Sequence, residues 1–158
     1  MLRIGTGYDV HPLRDGRALV IGGVRIKHPK GLEGHSDADV LVHAVIDSVL
    51  GAAGLGDIGA HFPPNDDRYK DASSLDLLAE AARVIANAGC RVVNVDSTVI
   101  AQAPHLQPHL AEMTGNIARG LGLDRGAVSV KATSPEGIGA LGHEEGIAAQ
   151  AVAMIEQL

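Results

Sequence analysis

The sequence predicts a single α+β domain over residues 1–158, in which a mixed β-sheet carries its helices packed on one face. Three observations support this fold class. Strand-like and helix-like hydrophobic patterns alternate along the chain, but they do not form strict strand–helix–strand units. A chain of 158 residues with 46% hydrophobic residues can bury one substantial core. No internal repeat or linker divides the chain.

The first part of the chain is predicted to form strands and then a helix. Residues 2–13 and 18–26 are rich in apolar and β-branched residues, which favour strands. Ser36 or Asp37 is the expected N-cap of a helix that extends to about Ala53, because either side chain can accept a hydrogen bond from a free backbone N–H group.

The remaining segments alternate between loop, helix and strand. Residues 61–70 are expected to be irregular, because their consecutive prolines disrupt helix and strand alike. A second helix should begin within residues 71–75 and end at Gly89, and a third should span residues 108–121.

Two further segments, residues 92–101 and 128–133, are predicted strands. The tail, residues 146–158, fits two patterns. Its alanine content favours a helix, whereas its alternating apolar residues fit a strand.

Charge, aromatic content and cysteine content limit the possible functions. The formal net charge is −6 and aromatic residues make up 2% of the chain, so we expect no nucleic acid partner. Cys90 is the only cysteine, which excludes an intrachain disulfide and a cysteine-rich zinc finger. No signal-peptide core or membrane-spanning segment is evident, so we expect a cytoplasmic protein without a membrane partner.

Three residues suggest a metal site. Asp9 and His11 should project from one face of the first strand, with Val10 on the other face. His43 lies in the first turns of the predicted helix. One carboxylate and two imidazoles suit a zinc ion that keeps a fourth position open, which indicates chemistry rather than scaffolding.

Simpler interpretations of the same residues stay open. A histidine near an apolar strand is more often a core or surface residue than a metal ligand. Asp47 follows His43 by four residues. Asp47 is therefore either a hydrogen-bond partner on the same helix face or an outer carboxylate that fixes the tautomer of a metal-bound His43.

Seven motifs stand in a characteristic order along the chain. They are Gly-Tyr-Asp-Val-His, Gly-His-Ser-Asp-Ala-Asp, Gly-Leu-Gly-Asp-Ile-Gly, Phe-Pro-Pro-Asn-Asp, Asn-Val-Asp-Ser-Thr-Val-Ile-Ala-Gln-Ala-Pro, Val-Lys-Ala-Thr-Ser and Glu-Glu-Gly-Ile-Ala-Ala. Through this ordered set, the chain resembles the 2-C-methyl-D-erythritol 2,4-cyclodiphosphate synthases of the non-mevalonate isoprenoid pathway over essentially all 158 residues.

The resemblance implies a phosphorus–oxygen lyase. It implies conversion of 4-diphosphocytidyl-2-C-methyl-D-erythritol 2-phosphate into 2-C-methyl-D-erythritol 2,4-cyclodiphosphate and CMP, by attack of the 2-phosphate on the β-phosphate. It also implies a homotrimer with active sites between neighbouring subunits. Each site would hold Zn²⁺ and a second divalent ion, Mg²⁺ or Mn²⁺, which bridges the α- and β-phosphates.

The resemblance also assigns the metal ligands. It places Zn²⁺ on Asp9, His11 and His43, and the second divalent ion on Glu136, for which a solvated loop charge is the alternative. A single protein carboxylate is enough for Mg²⁺, which is often bound by one or two carboxylates together with substrate phosphates.

The resemblance implies phosphate contacts just before the predicted helix that ends near Ala53 and just after the predicted strand 128–133. His35 and Ser36 match the pair that contacts the 2-phosphate, at a helix N-terminus whose backbone N–H groups favour anions. His35 and Ser134 match residues that stabilise the transition state. Ser134 replaces a threonine of the family but keeps the hydroxyl group.

The other matched segments bind the rest of the substrate. Residues 57–59 match the contacts to the methylerythritol hydroxyls, and residues 62–66 match a mobile cover, for which a plain surface loop is the alternative. Residues 101–106 match the cytidine diphosphate segment, and residues 132–134 match the other wall, given by the neighbouring subunit. The substrate-binding residues implied are Asp9, Val10, His11, His35, Ser36, Asp57, Ile58, Gly59, Phe62, Pro63, Pro64, Asn65, Asp66, Ala101, Gln102, Ala103, Pro104, His105, Leu106, Gln107, Ala132, Thr133, Ser134, Pro135, Glu136, Ala140 and His143.

Besides Ser134, four positions depart from the family pattern. His105 stands where the family usually has a lysine that touches the diphosphate, and an imidazole is only partly charged at neutral pH. Pro64 replaces an aspartate common in the cover. Ala140 and His143 replace frequent phenylalanine and arginine residues near a central cavity of the trimer, which weakens the case for isoprenoid diphosphates binding there.

Two other functions fit a zinc site. A zinc-dependent phosphoesterase would activate water and release free phosphate. A non-catalytic module would use zinc for assembly, so metal removal would dissociate it. The complete set of substrate-contact motifs disfavours both.

Overall fold

The computed structural model describes residues 1–158, and its elements alternate along the chain. The strands are β1 (Leu2–Asp15), β2 (Leu19–Ile21), β3 (Val24–Ile26), β4 (Lys30–Leu32), β5 (Cys90–Ile100), β6 (Val128–Thr133) and β7 (Gly146–Gln157). The helices are α1 (Val40–Ala53), α2 (Ile58–His61), α3 (Ser74–Asn87), α4 (Leu110–Leu121) and α5 (Gly139–Gly142). None of the helices combines the length and apolar character that a membrane span requires.

Five strands form one mixed sheet in the order β4–β1–β7–β5–β6, while β2 and β3 form a separate hairpin. β1 and β5 are both antiparallel to β7, and β6 is parallel to β5. β1, β5 and β6 therefore run in one direction. Val10 is paired with Ala148, and Ala148 is also paired with Ile100, so the C-terminal parts of β1 and β5 are level.

The helices cover one face of this sheet, as predicted. α1 packs across β1, β7 and β5, with α3 and α4 beside it. Its close approach to β1 depends on Gly7, where a Cβ atom would overlap the carbonyl oxygen of Ala44. This contact brings the first turns of α1 next to the strand segment that carries Asp9 and His11.

The opposite face of the sheet is uncovered within one chain. Leu2, Ile4, Tyr8 and Val10 of β1 project from it and are 46–70% exposed, and Val152 of β7 is 47% exposed. The uncovered face of β1 therefore carries large hydrophobic side chains that the chain itself does not bury, while Asp9 and His11 lie on the face toward the helices.

Most predicted elements are confirmed, with shifted ends. Residues 128–133 form β6 as predicted, and the predicted strand 92–101 is β5, Cys90–Ile100. The ambiguous tail is a strand, β7, because it fills the position between β1 and β5. The segment 61–70 is not wholly irregular: it contains the end of α2 and a 3₁₀ turn at Asp67–Tyr69.

The predicted N-cap of α1 was wrong. The cap is Asp39, whose carboxylate accepts a hydrogen bond from Val42 N at 3.1 Å. The same carboxylate also accepts from the backbone N–H groups of Gly22 and Gly23, at 2.9 and 2.7 Å. The turn between β2 and β3 therefore selects Asp39 over the equally suitable Ser36 and Asp37.

Candidate metal centre

β1 and α1 bring Asp9, His11 and His43 together. Asp9 and His11 both face the helix layer, and Val10 faces away, as the two-residue repeat of a strand predicts. Asp9 Oδ2 lies 3.0 Å from His11 Nε2 and 3.1 Å from His43 Nδ1. One ligand atom from each residue lies within 4.8 Å of the others, a geometry that could hold a metal ion.

The outer nitrogen of each imidazole has its own partner. His11 Nδ1 lies 2.8 Å from the carbonyl oxygen of Glu33, an acceptor, so Nδ1 carries a proton. His43 Nε2 lies 2.8 Å from Ser74 Oγ and 3.2 Å from Ser36 Oγ. The inner nitrogens, His11 Nε2 and His43 Nδ1, both point at the same carboxylate oxygen.

The donor set fits a divalent metal ion. A neutral His11 whose Nδ1 is protonated presents a lone pair at Nε2, beside the ionised carboxylate of Asp9. Acceptor atoms this close repel one another unless a proton or a cation lies between them. Two imidazoles and one carboxylate leave one tetrahedral position free for a further ligand.

Charge in the triad supports this interpretation. Burial by itself would raise the pKa of Asp9, but hydrogen bonds with His11 and then His43 outweigh burial and lower the pKa to about 2. Burial would lower the pKa of His11, but the hydrogen bond with Asp9 outweighs it and raises the pKa. The site thus stabilises a carboxylate and positive charge beside it.

A cleft of about 220 Å³ opens over the triad. It is lined by most of the residues predicted to contact the methylerythritol phosphate and by two that the sequence did not indicate, Tyr69 and Leu77. The lining residues are Asp9, His11, His35, Ser36, His43, Ile58, Gly59, Phe62, Pro64, Tyr69 and Leu77. Phe62 and Tyr69 meet edge to face, with ring centroids 5.4 Å apart, and form its apolar side.

The segment before α1 carries His35 and Ser36 to the cleft. Arg17 holds it by donating hydrogen bonds to the carbonyl oxygens of Leu32, Gly34 and Ser36 at 3.1–3.4 Å. Because α1 begins at Val40 and Asp39 caps it, Ser36 does not lie at the helix N-terminus. The predicted position of Ser36 at the helix N-terminus was therefore wrong, although His35 and Ser36 both line the cleft.

Asp47 does not hold His43. Its Oδ1 atom accepts a hydrogen bond from Ile58 N at 2.8 Å, and so fixes the start of α2 instead. The outer partners of His43 are Ser74 and Ser36. The expected contact was wrong because the loop after α1 folds back onto Asp47, a tertiary contact that helix spacing does not reveal.

A second cleft of about 210 Å³ lies where β5 and β6 end. Its lining residues are Ala101, Gln102, Pro104, His105, Leu106, Gln107, Ala132, Thr133 and Ser134. Both predicted walls of the cytidine site therefore belong to the same chain. The expectation that residues 132–134 and the cytidine diphosphate segment come from different subunits was wrong. Parallel pairing of β5 with β6 brings the two segments together.

Several predicted substrate contacts line neither cleft. Asp57 caps α2 by accepting from Ala60 N at 2.9 Å, and Asp66 pairs with Arg68 at 2.7 Å. Glu136 is exposed, with its backbone N–H donating to Ser134 Oγ at 3.0 Å. The other residues outside both clefts are Val10, Pro63, Asn65, Ala103, Pro135, Ala140 and His143.

Known proteins with similar sequences and folds share one family. The sequence model of the YgbB family matches residues 2–156. A 2-C-methyl-D-erythritol 2,4-cyclodiphosphate synthase from Syntrophomonas wolfei is 59% identical over 156 residues, which cover 99% of each chain. The bifunctional IspDF from Campylobacter jejuni matches all of this chain with a TM-score of 0.95 and 40% identity, and this chain spans 43% of that protein. IspF from Plasmodium falciparum in a complex with CDP matches with a TM-score of 0.85 and 33% identity, over 99% of this chain and 96% of that one.

Proposed function

The chain belongs to the YgbB family, and from this premise we propose that it converts 4-diphosphocytidyl-2-C-methyl-D-erythritol 2-phosphate into 2-C-methyl-D-erythritol 2,4-cyclodiphosphate and CMP. It is thus a phosphorus–oxygen lyase of isoprenoid biosynthesis, with a cytoplasmic location. The observation that carries the proposal is the convergence of Asp9, His11 and His43 in one cleft with His35 and Ser36, in a chain 59% identical to a synthase of this name.

The reaction places two phosphates in contact. An oxygen of the 2-phosphate forms a bond to the β-phosphorus, and the bond from that phosphorus to the oxygen bridging it to the α-phosphorus breaks, so that CMP leaves with the electron pair. A chain with a net charge of −6 opposes this approach of anions. Zn²⁺ held by Asp9, His11 and His43 would offset the negative charge on the β-phosphate.

His35 and Ser36 are the residues we assign to the 2-phosphate. Both line the cleft beside the triad. His35 Nε2 lies 3.3 Å from the carbonyl oxygen of Asp66, so its ring is oriented by the segment that covers the cleft. Phe62 and Pro64 of that segment line the same cleft and would exclude water from the reacting phosphates.

The second cleft is assigned to the cytidine diphosphate part. The CDP complex of the Plasmodium falciparum relative supports this ligand class. Ala101 and Ala132 allow the backbone to approach a base closely, and Thr133 and Ser134 offer hydroxyl groups to the diphosphate. Ser134 and His35 would stabilise the transition state from opposite sides. Glu136, exposed beside Ser134, would hold the second divalent ion, Mg²⁺ or Mn²⁺.

A homotrimer would bring the metal cleft of one chain to the nucleotide cleft of the next. Two observations support it. The two clefts of a single chain share no lining residue, yet the substrate needs both. In addition, the open sheet face exposes Leu2, Ile4, Tyr8 and Val10, and an apolar surface of this kind marks an interface.

Phosphorus NMR tests the proposed reaction. Zinc-supplemented protein, incubated with the cytidyl substrate and Mg²⁺, should produce a cyclic diphosphate and CMP. We expect Asp9→Ala to lower the rate at least about 100-fold, because a metal ligand is lost. Asp15→Ala, at the exposed end of the same strand, should leave it unchanged. Release of free phosphate instead of the cyclic product would identify a phosphoesterase and refute the proposal.

A further inference from the structure

A buried chain of hydrogen bonds connects His43 to a carboxylate outside the triad. His43 Nε2 lies 2.8 Å from Ser74 Oγ, and the Ser74 hydroxyl donates to Asp37 Oδ1. Ser74 is fully buried at the N-terminus of α3, and His43 is 8% exposed. The three residues come from α3, the segment before α1, and α1 itself, so the contact depends on tertiary packing.

The direction of these hydrogen bonds follows from the donors available. Asp37 Oδ1 also accepts from Asp39 N at 3.2 Å, and its Oδ2 accepts from Ser74 N at 2.9 Å. Both oxygens of Asp37 are therefore acceptors. The single hydroxyl proton of Ser74 goes to Asp37, so Ser74 Oγ must accept from His43, whose Nε2 carries the proton.

We propose that Ser74 and Asp37 are positioning residues that hold His43 with its proton on Nε2 and its Nδ1 lone pair directed at the metal centre. The identity of the metal rests on the proposed function. His11 is fixed in the opposite sense by Glu33 O, which holds its Nδ1 proton. The two rings thus present different nitrogens to the same point, each oriented by a separate element.

Ser36 is the weaker outer partner of His43. Its Oγ atom lies 3.2 Å from Nε2, and it also accepts from Ala38 N at a long 3.4 Å. No carboxylate receives its hydroxyl proton, so Ser36 does not set the direction of the hydrogen bond to His43. This leaves Ser36 free to rotate toward a phosphate while Ser74 keeps His43 in place.

Zinc affinity is the direct test, with the Zn²⁺ ion as the probe in competition with a chromophoric chelator. Ser74→Ala removes the nearer acceptor for His43 and leaves only Ser36 Oγ at 3.2 Å. It keeps the backbone hydrogen bond from residue 74 to Asp37, so the start of α3 keeps its support. We expect about 10–100-fold weaker zinc binding, the usual cost of losing an outer partner of a metal-bound histidine. The matched control is Ser73→Ala, because Ser73 is exposed and makes no capping hydrogen bond; its zinc affinity should equal that of the wild type.

A second measurement reads the position of the proton on His43 directly. In nitrogen-15 NMR of the zinc-loaded protein, His43 should show a slowly exchanging proton on Nε2, and Ser74→Ala should make that proton exchange quickly. A proton on Nδ1 of the wild type, or unchanged zinc affinity in Ser74→Ala, would overturn the positioning role while leaving the proposed reaction intact. If the wild type binds no zinc, the metal assignment of the proposed function fails, and the positioning role fails with it.

Discussion

Asp39 shows how one buried side chain can connect separate parts of the fold. Its carboxylate accepts hydrogen bonds from Gly22 N, Gly23 N and Val42 N, which joins the β2–β3 turn to the start of α1. Burial raises the pKa of Asp39 to about 6, although these hydrogen bonds oppose the shift. Asp39 therefore fixes the start of α1, but burying its ionised carboxylate costs free energy.

The raised pKa of Asp39 predicts a pH dependence of stability. The folded state binds this proton more tightly than the unfolded state, so the contribution of Asp39 to the free energy of unfolding falls as pH rises from about 4 to about 6. The difference between wild type and Asp39→Asn should therefore change by about 3 kcal/mol across that range. Urea unfolding at several pH values measures it, and parallel stability profiles of the two proteins would contradict the prediction.

His105 provides a second prediction at the scale of a residue. It lines the nucleotide cleft, and a lysine in its place would carry a full positive charge at neutral pH. The KM for the cytidyl substrate should therefore be lower in His105→Lys than in the wild type. The effect should be modest, about 1 kcal/mol, because solvent screens an exposed charge. Equal KM values for the two proteins would show that the side chain at position 105 points away from the diphosphate.

At the scale of secondary-structure elements, the metal centre depends on the contact between β1 and α1. A Cβ atom on Gly7 would overlap the Ala44 carbonyl oxygen, so Gly7→Ala should push α1 away from β1 and separate His43 from Asp9. We expect a loss of about 1–3 kcal/mol in stability together with weaker zinc binding.

Gly51→Ala is the matched control for Gly7→Ala. Gly51 lies in α1 itself, and the nearest atom outside the helix to an added methyl group would be Thr6 O at 3.9 Å, an ordinary contact. Alanine also favours a helix over glycine. Gly51→Ala should therefore retain stability and zinc affinity. Thermal unfolding and chelator competition compare the two variants, and equal behaviour would show that β1 and α1 can separate without cost.

The elements differ in how far the sequence determines them. Strand β6 and the placement of Asp9 and His11 on one face follow from local patterns, because a strand alternates its side chains whatever surrounds it. The N-cap of α1 does not follow from a local pattern, because Ser36, Asp37 and Asp39 are all good N-cap residues. Only the hydrogen bonds from the Gly22-Gly23 turn distinguish Asp39 from the other two. The tail is a strand because of its neighbours, since its alanines suit either structure.

In the candidate site too, the residues placed by local patterns were predictable and those placed by tertiary contacts were not. Residue types and strand spacing suggested that Asp9 and His11 lie together, and the family resemblance added His43; the structure brings all three together. Ser74 could not be predicted, because its position suggests an ordinary helix start, and its contact with His43 requires α3 to lie beside α1. The partner of Asp47 could not be predicted either, because only the folded structure shows that Asp47 accepts a hydrogen bond from Ile58 N and not from His43.

At the scale of the whole molecule, the chain leaves an apolar sheet face uncovered, and the proposed reaction uses two clefts that share no lining residue. The proposed trimer would cover this face and bring the two clefts together through one interface. Assembly would bury side chains such as Ile4, which is 70% exposed in the single chain, and burying one such side chain contributes about 1.5–3 kcal/mol. Catalysis should therefore depend on assembly even though each chain has its own candidate metal site.

This dependence is open to a direct test. Light scattering of the wild type should give three times the mass of the chain. Ile4→Lys places a charge on the open sheet face and should yield monomers that still bind zinc but do not form the cyclic diphosphate, because a charge buried at an interface without a partner is strongly unfavourable. Ala79→Lys adds the same charge on the exposed side of α3 and should remain trimeric and active. A wild-type monomer, or an active monomer of Ile4→Lys, would show that one chain completes the site alone and that the apolar face serves another purpose.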